Sequence, residues 1–170
     1  NPGTFKELIS GGLVFEKQVC KEWKYKVSAV GEKGQSKLSA MKDLKAIELG
    51  GVVTYKTFKV GATYGDWFDS YTLKSPVSGS KHDAWYWTAG VGQDIGNFGY
   101  SLTYMESRKS GGIEALSTLG VPAAAISDFQ DNRFNNFVID IEYKVAQGFS
   151  PFVGLSNYRF KESTGAVDSG

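Results

Sequence analysis

Apolar and polar residues alternate along much of this chain with a period of two. In the clearest segment, Phe137, Ile139 and Ile141 are apolar, whereas Asp140 and Glu142 are charged. Successive side chains of a β-strand point to opposite faces, so the pattern predicts strands with one apolar and one polar face. It indicates an all-β protein with eight strands, at about residues 11–20, 22–30, 44–56, 57–67, 84–94, 97–107, 135–146 and 148–160.

The connections between these strands alternate between short and long. Short turns fall near residues 20–21, 56–57, 94–97 and 146–148, and long polar loops at 31–43, 68–83 and 106–135. Tight turns join neighbouring strands into hairpins, so a single antiparallel domain over residues 1–170 has all its short turns at one end. The strands have the length, about 9 to 11 residues, that a tilted strand needs to cross a bilayer. The sequence therefore predicts a transmembrane β-barrel.

In outer-membrane barrels the short turns face the periplasm and the long loops face outward. That orientation would place both ends of this chain on the long-loop side, although single-chain barrels have both ends in the periplasm. We therefore expect an internal segment of a larger barrel. The loop 106–135 contains an apolar run, Val121 to Ile126, which is compatible with a constriction inside the lumen, a cap over the mouth or an outer loop with no channel role.

A soluble barrel of the lipocalin type also alternates, but with its apolar residues inside. Long strands of nearly uniform length, asymmetric loops and aromatic residues near strand ends favour the membrane. Aromatic rings at both ends of the strands would form the two interfacial girdles, where each ring keeps its polar tip in water. The candidates are Trp23, Tyr55, Tyr64, Trp67, Trp85, Trp87, Tyr104 and Tyr143.

If the apolar face meets lipid, the polar face lines a lumen. A water-filled lumen accommodates charges in the middle of strands, which a packed interior would penalise by several kcal/mol. Opposed charges there predict a transverse field that favours small polar solutes, and a solvated wall with no selective role is the alternative. The pore-lining candidates are Glu22, Lys24, Lys26, Glu48, Lys59, Asp140, Glu142 and Lys144.

Composition and charge exclude several other functions. The formal net charge of +1 provides no basic surplus for binding nucleic acid. Cys20 is the only cysteine, so no intrachain disulfide can form. His82, the only histidine, lies beside Asp83 in a loop, which supplies no positioned nucleophile and base. We expect no enzymatic activity, no metal and no cofactor.

Three stretches resemble the general porins of Gram-negative bacteria, particularly the alphaproteobacterial type. They are Asp43 to Trp67, Trp87 to Tyr104 and Asn136 to Phe160, and each is a strand, a tight turn and a second strand. The resemblance covers most of the chain from Leu13 onward. It implies a 16-stranded homotrimer in the cell outer membrane, surrounded by lipid and lipopolysaccharide. The lysine-rich stretch Lys21 to Lys26 and the absence of a closing strand with a terminal aromatic residue depart from that family.

The expected function is therefore a water-filled channel for passive diffusion of small hydrophilic solutes and ions. One alternative is a small outer-membrane barrel that serves as a structural anchor or adhesin. A soluble ligand-binding barrel of the lipocalin type is the other. The sequence leaves ion selectivity and trimer contacts open.

Overall fold

The computed structural model of the chain describes residues 5–39, 42–70, 84–109, 132–161 and 167–169. They form one antiparallel sheet in which each strand pairs with its neighbours in the chain, and no helix occurs among them. The strands are β1 (Phe5–Gln18), β2 (Trp23–Ser36), β3 (Leu44–Tyr55), β4 (Phe58–Asp66), β5 (Ala84–Ile95), β6 (Phe98–Lys109), β7 (Asn132–Tyr143), β8 (Phe152–Lys161) and β9 (Val167–Ser169). The prediction of an all-β, antiparallel fold is confirmed.

The pairing register keeps apolar residues on one face from strand to strand. Val60 of β4 pairs with Val91 of β5, Val91 with Leu102 of β6, Leu102 with Ile139 of β7, and Ile139 with Leu155 of β8. Because side chains alternate along each strand, the neighbouring residues form a matching row on the other face. A shift of one residue in any pair would move a whole apolar set to the polar face, so the alternation specifies the register.

The short connections lie at one end of the sheet and are tied to each other. Lys56 and Thr57 join β3 to β4, and the backbone N–H of Lys56 donates to the carbonyl of Glu22 in the preceding turn at 2.7 Å. The N–H of Lys144 likewise donates to the carbonyl of Asn97 at 2.8 Å. Gly96, in the turn before β6, has a φ of +60°, which glycine adopts without the steric cost of a Cβ.

Two strands extend at least six residues beyond their predicted bounds. β1 begins at Phe5 rather than residue 11, and β2 continues to Ser36 rather than residue 30. The added residues pair with each other, as Ser10 does with Glu32. This extension carries polar residues on both faces, so it has no apolar alternation, whereas its backbone groups still need hydrogen-bond partners.

The boundaries around β8 also differ from the prediction. β7 ends at Tyr143 rather than residue 146, and β8 begins at Phe152 rather than residue 148. Pro151, directly before β8, has no N–H to donate to a ladder, which explains the later start. The three-residue strand β9 was not predicted because it is too short to show a period.

The sheet is open, with β1 and β9 at its edges. Closure into a barrel and a total of 16 strands therefore stay predictions. The apolar run Val121 to Ile126 and the pair His82 and Asp83 lie outside the described residues.

Candidate functional site

One face of the sheet is apolar and exposed. The exposed fraction is 46% for Val60, 44% for Ile139 and 72% for Leu155, and no large side chain among the described residues is fully buried. Folding in water is driven by burial of such side chains, and large contiguous apolar patches mark surfaces that contact a partner or a membrane. The described sheet has no hydrophobic core of its own, so this face needs apolar surroundings.

Most of the predicted girdle aromatics lie on this exposed apolar face, in two groups at opposite ends of the strands. At the short-turn end, the ring centroids of Trp23 and Tyr55 are 4.6 Å apart. At the long-loop end, those of Trp87 and Tyr104 are 5.2 Å apart. By register, the same face carries Trp23, Tyr55, Tyr64, Trp85, Trp87, Tyr104 and Tyr143.

Trp67 is the exception among the predicted girdle residues. It follows the last residue of β4, and its ring lies 5.5 Å from that of Tyr86, which belongs to the polar face. The backbone N–H of Trp67 still donates to the carbonyl of Ala84 at 2.8 Å, so the alternation continues past Asp66 and places Trp67, two positions after Gly65, on the polar face.

The opposite face carries charges that are separated by sign in its short-turn half. Three lysines on β2 and β4 form what we call the basic strip: Lys24, Lys26 and Lys59. Three carboxylates on β5 and β7 form the acidic strip: Asp94, Asp140 and Glu142. The register places all six on the polar face. Glu16 of β1 lies on the same face, on the side of the basic strip away from the acidic strip.

The two strips meet between β4 and β5. Lys59 Nζ lies 2.8 Å from Asp94 Oδ2, and Lys144 Nζ lies 3.9 Å from the same oxygen. At the outer side of the basic strip, Lys24 Nζ lies 2.7 Å from Glu16 Oε1. In the acidic strip, the hydroxyl of Ser101 donates to Asp140 Oδ2 at 3.3 Å. These exposed pairs leave further donors and acceptors of each strip directed to solvent.

Open depressions occur on both faces of the described sheet, and two of them lie on the polar face beside the charged strips. One, of about 380 Å³, is lined by both strips, with Lys59, Asp94, Asp140 and Glu142 around Ser101. The neighbouring depression, of about 490 Å³, includes glycines of three strands, Gly50, Gly61 and Gly90 among its lining residues. A Cβ on Gly90 would lie 2.9 Å from Thr103 Oγ1. Glycine at this position therefore leaves the floor of the depression without a side chain. The arrangement offers water and polar solutes a concave, charged surface.

Most of the predicted pore-lining residues lie on the polar face, within strands: Lys24, Lys26, Glu48, Lys59, Asp140 and Glu142. Two of the predicted residues lie outside the strands. Glu22 is in the turn before β2, where it pairs with Lys56 at 3.4 Å, and Lys144 follows the end of β7. The boundaries predicted for those strands were too wide because charged residues at strand ends continue the alternation into the turns.

In the short-turn half of this face, sequence reasoning missed two carboxylates, Asp94 and Glu16. Asp94 falls at the last residues of β5, beside a predicted turn, and its role depends on Lys59 of the adjacent strand. The signal that identifies it is the cross-strand register, which follows once the two-residue turns are fixed.

At the long-loop end, polar contacts fasten the connections to the strands. Lys42 Nζ donates to Asp69 Oδ2 at 2.5 Å, and the hydroxyl of Ser70 donates to the carbonyl of Lys45 at 2.6 Å. The hydrogen bond from Lys42 holds the pKa of Asp69 below its usual value, against a smaller opposing effect of burial. These contacts fix the chain after β4 against the start of β3.

Within the described residues, no group of three or more histidine, cysteine, aspartate or glutamate side chains is arranged to hold a metal ion. The part of the chain that the structure describes contains no helix long and apolar enough to cross a membrane.

The fold and its two faces define a class: an all-β sheet whose apolar face is exposed and whose polar face carries the charges. The chain is similar to uncharacterized proteins of Rickettsia, which it matches over nearly all of its own length. It is 25% identical over 174 residues to protein RC0098 of Rickettsia conorii and 26% identical over 175 residues to a protein of Rickettsia felis, covering 92% of this chain and 35% of each relative. It is 24% identical to a protein of Rickettsia bellii, covering 90% of this chain and 34% of the relative.

The chain therefore spans about a third of the length of the curated relatives it matches. No protein-family model matches it, and no solved structure matches it.

Proposed function

We propose that this chain is part of a porin-type barrel in the cell outer membrane, and that the barrel forms a water-filled channel for passive diffusion of small hydrophilic solutes and ions. The observation that carries the proposal is the polarity of the two faces. From Phe137 to Tyr143 of β7 the residues of the apolar face are exposed, whereas the residues of the charged face that alternate with them are partly buried, as expected where the charged face is the inner one. Membrane barrels have this arrangement, because lipid surrounds them and water fills them.

The charge separation on the polar face supports a channel over a passive wall. Basic and acidic strips side by side on one wall of a lumen create a local field transverse to the channel axis, which orients water and other dipolar solutes. Apolar solutes gain nothing from that field and must displace oriented water. The channel would therefore favour small hydrophilic solutes, with ion preference set by the balance of the two strips.

In the described sheet β1 and β9 are edges that do not pair with each other, and the barrel of this proposal closes through further strands. The backbone groups along β1 and β9 that face away from the sheet would otherwise meet hydrocarbon, where unsatisfied N–H and C=O groups cost several kcal/mol each. The Rickettsia relatives are nearly three times as long as the matched region, which leaves room for the further strands of a 16-stranded barrel. We further propose that three such barrels associate as a homotrimer.

The soluble, lipocalin-like alternative is disfavoured by the same polarity. A ligand-binding barrel in water needs apolar side chains on its inner face and polar ones outside, which is the reverse of the arrangement around Ile139 and Asp140. An anchor or adhesin barrel would share the apolar outer face but would conduct no ions, so conductance separates it from a channel.

The test is single-channel recording on the full-length protein that contains this chain, purified from outer membranes and reconstituted in a planar bilayer. We expect discrete, ohmic conductance steps. The control is an identical preparation from cells that lack the gene. A folded barrel that inserts into the bilayer but gives no steps would refute the channel and favour the anchor.

A further inference from the structure

The polar face changes in character toward the long-loop end of the sheet. Its short-turn half carries the basic and acidic strips, whereas Trp67 and Phe134 bring aromatic rings to this face at the long-loop ends of β4 and β7. Phe134 pairs directly with Phe160 of β8, so their two rings lie on neighbouring strands of the same face. Apolar surface in contact with water is unfavourable, and contiguous patches of it mark binding sites.

These rings surround a cavity of about 380 Å³, which we call the aromatic cavity. Phe5 of β1 and Phe160 of β8 both line it. Neighbouring strands lie about 4.8 Å apart, so a flat sheet would separate β1 from β8 by about 30 Å. The sheet therefore curves around this space, which is large enough for a small organic molecule. The other apolar residues that line the cavity are Leu44, Trp67, Ala84 and Phe134.

Two rings of the aromatic cavity are held in place by further aromatic side chains. The ring centroid of Trp67 lies 5.5 Å from that of Tyr86, whose hydroxyl donates to Glu48. The ring of Phe134 stacks on that of Tyr158, with centroids 6.2 Å apart and planes inclined by 23°. Rings that are already fixed lose little freedom when a ligand binds, so the cavity is a preformed site.

The charged residues that line the aromatic cavity are basic. They are Arg108 and Lys109 of β6, and no carboxylate occurs among the described residues that line it. The register places Lys109 on the polar face and Arg108 on the other face. Lys109 is exposed, so an ammonium group borders an apolar, ring-lined space. Together these features match a solute that has an apolar ring and a negative charge.

We propose that the aromatic cavity binds planar aromatic carboxylates, with the ring against Trp67 and Phe134 and the carboxylate at Lys109. The inference rests on the proposed function, because a water-filled lumen brings such solutes to the polar face. Contacts between aromatic rings contribute beyond the burial of their area, and the ammonium group adds a charge-assisted hydrogen bond. Solutes that enter from the long-loop end would bind here before they reach the basic and acidic strips.

Other small solutes match the aromatic cavity less well. A neutral sugar would gain nothing from the charge of Lys109, and an aliphatic carboxylate would gain nothing from stacking on the rings. An aromatic cation would lie beside Lys109, and no carboxylate among the described lining residues would offset the repulsion.

The experiment measures binding of naphthoate to the full-length protein in micelles by equilibrium dialysis, with protein-free micelles to correct for partitioning into detergent. We expect Trp67→Leu to weaken binding about 3- to 10-fold, because the side chain stays apolar but loses the ring that contacts the ligand. Phe58→Leu is the matched control. It changes an exposed ring of the apolar face and should leave naphthoate binding unchanged.

A second variant tests the charge at the aromatic cavity. Lys109→Gln should weaken naphthoate binding about two- to fivefold, as expected for an exposed ion pair, and should leave binding of the neutral naphthylmethanol unchanged. Lys21→Gln removes an exposed lysine at the short-turn end and should change neither. Trp67 and Lys109 are both exposed, so their replacement should not prevent folding.

The inference is overturned if the unaltered protein does not bind naphthoate, which is the result expected if residues 110–131 of this chain or a second copy fill the cavity. It is also overturned if the folded Trp67 and Lys109 variants bind naphthoate like the unaltered protein, or if naphthylmethanol binds as tightly as naphthoate.

Single-channel conductance of the same preparations tells this failure from a failure of the channel. Normal conductance steps, with naphthoate binding that neither variant weakens, reject the aromatic cavity as a site and leave the channel in place. Naphthoate binding that depends on Trp67 and Lys109, in a protein that gives no steps, rejects the channel alone.

Discussion

At the scale of single residues, a tyrosine and a glycine fit together on the polar face near the long-loop end. Tyr86 of β5 pairs with Gly65 of β4, and its hydroxyl donates to Glu48 Oε2 at 2.5 Å. A Cβ on Gly65 would overlap the ring of Tyr86. Aromatic side chains that cover strand glycines help to pin the register of a sheet. Glycine is therefore required at position 65 for close approach.

We predict that Gly65→Ala destabilises the folded protein by about 1–3 kcal/mol, since the methyl group must displace the Tyr86 ring and its bond to Glu48. Gly31→Ala is the matched control, because a Cβ there meets nothing within 4 Å. That variant should change stability by no more than about 0.5 kcal/mol. The measurement is guanidinium unfolding of the full-length protein in micelles, and equal effects of the two changes would show that the Tyr86 contact is dispensable.

The carboxyl group of Asp69 provides a test of the contacts at the long-loop end. Its pKa is lowered mainly by the hydrogen bond from Lys42. A lowered pKa means that the contribution of this contact to stability is fully present above the ordinary pKa of an aspartate and is lost as the pH falls through the lower folded value. Both side chains are partly exposed, so the contribution to stability is small, at most about 1 kcal/mol.

We predict that Lys42→Gln returns the pKa of Asp69 toward its ordinary value. A carboxyl-carbon NMR titration of the folded protein measures it directly. Lys37→Gln, an exposed lysine in the same connection, should leave the pKa in place. A pKa that is the same in the Lys42 variant and the unaltered protein would show that another group holds it down.

At the scale of the strand, β7 offers two adjacent positions on opposite faces. Ile139 lies on the exposed apolar face and Val138 on the polar face. We predict that Ile139→Arg costs about 2–4 kcal/mol in a bilayer, because an arginine on the lipid face near the midplane is strongly unfavourable, whereas Val138→Arg costs far less. Folding into vesicles of defined composition measures both. If Ile139→Arg is as mild as a surface change in a soluble protein, the apolar face does not meet lipid.

β7 also shows which features of a strand can be predicted from the sequence alone. A period of two identifies β7 and assigns Ile139 and Asp140 to opposite faces, because alternation is a property of any strand. Its ends were harder to predict, since Lys144 continues the alternation after the ladder has stopped. The extension of β1 and β2 beyond residues 11 and 30 was missed because backbone pairing there is independent of apolar side chains.

For the candidate site, the residue types were predictable but their partners were not. Charges at alternate positions identify Lys59 and Glu142 as residues of one face. The separation of basic and acidic strips depends on which strands are neighbours and in what register. Backbone pairing across the sheet determines both. Asp94 is therefore identified as a residue of the site only by its ion pair with Lys59 on the adjacent strand.

At the scale of the whole molecule, the two strips predict opposite effects on ion selectivity. Asp140→Asn with Glu142→Gln removes two negative charges from the lumen and should shift the reversal potential in a salt gradient toward anion selectivity. Lys24→Gln with Lys26→Gln removes two positive charges and should shift it toward cations. Each double variant removes two charges from the same face, so each serves as the control for the other. Shifts in the same direction, or none in either variant, would contradict a lumen lined by these strips.

The central claim is that the exposed apolar face lies against lipid and the charged face against water. The most direct measurement is a spin-label scan of residues 136–143 in β7, made in the full-length protein in bilayers after Cys20, which is exposed, has been replaced by serine. Accessibility to oxygen, which partitions into lipid, should peak at Phe137, Ile139 and Ile141, and accessibility to a water-soluble nickel complex should peak at Asp140 and Glu142. Equal accessibility along the strand, or nickel maxima at the apolar positions, would contradict the account.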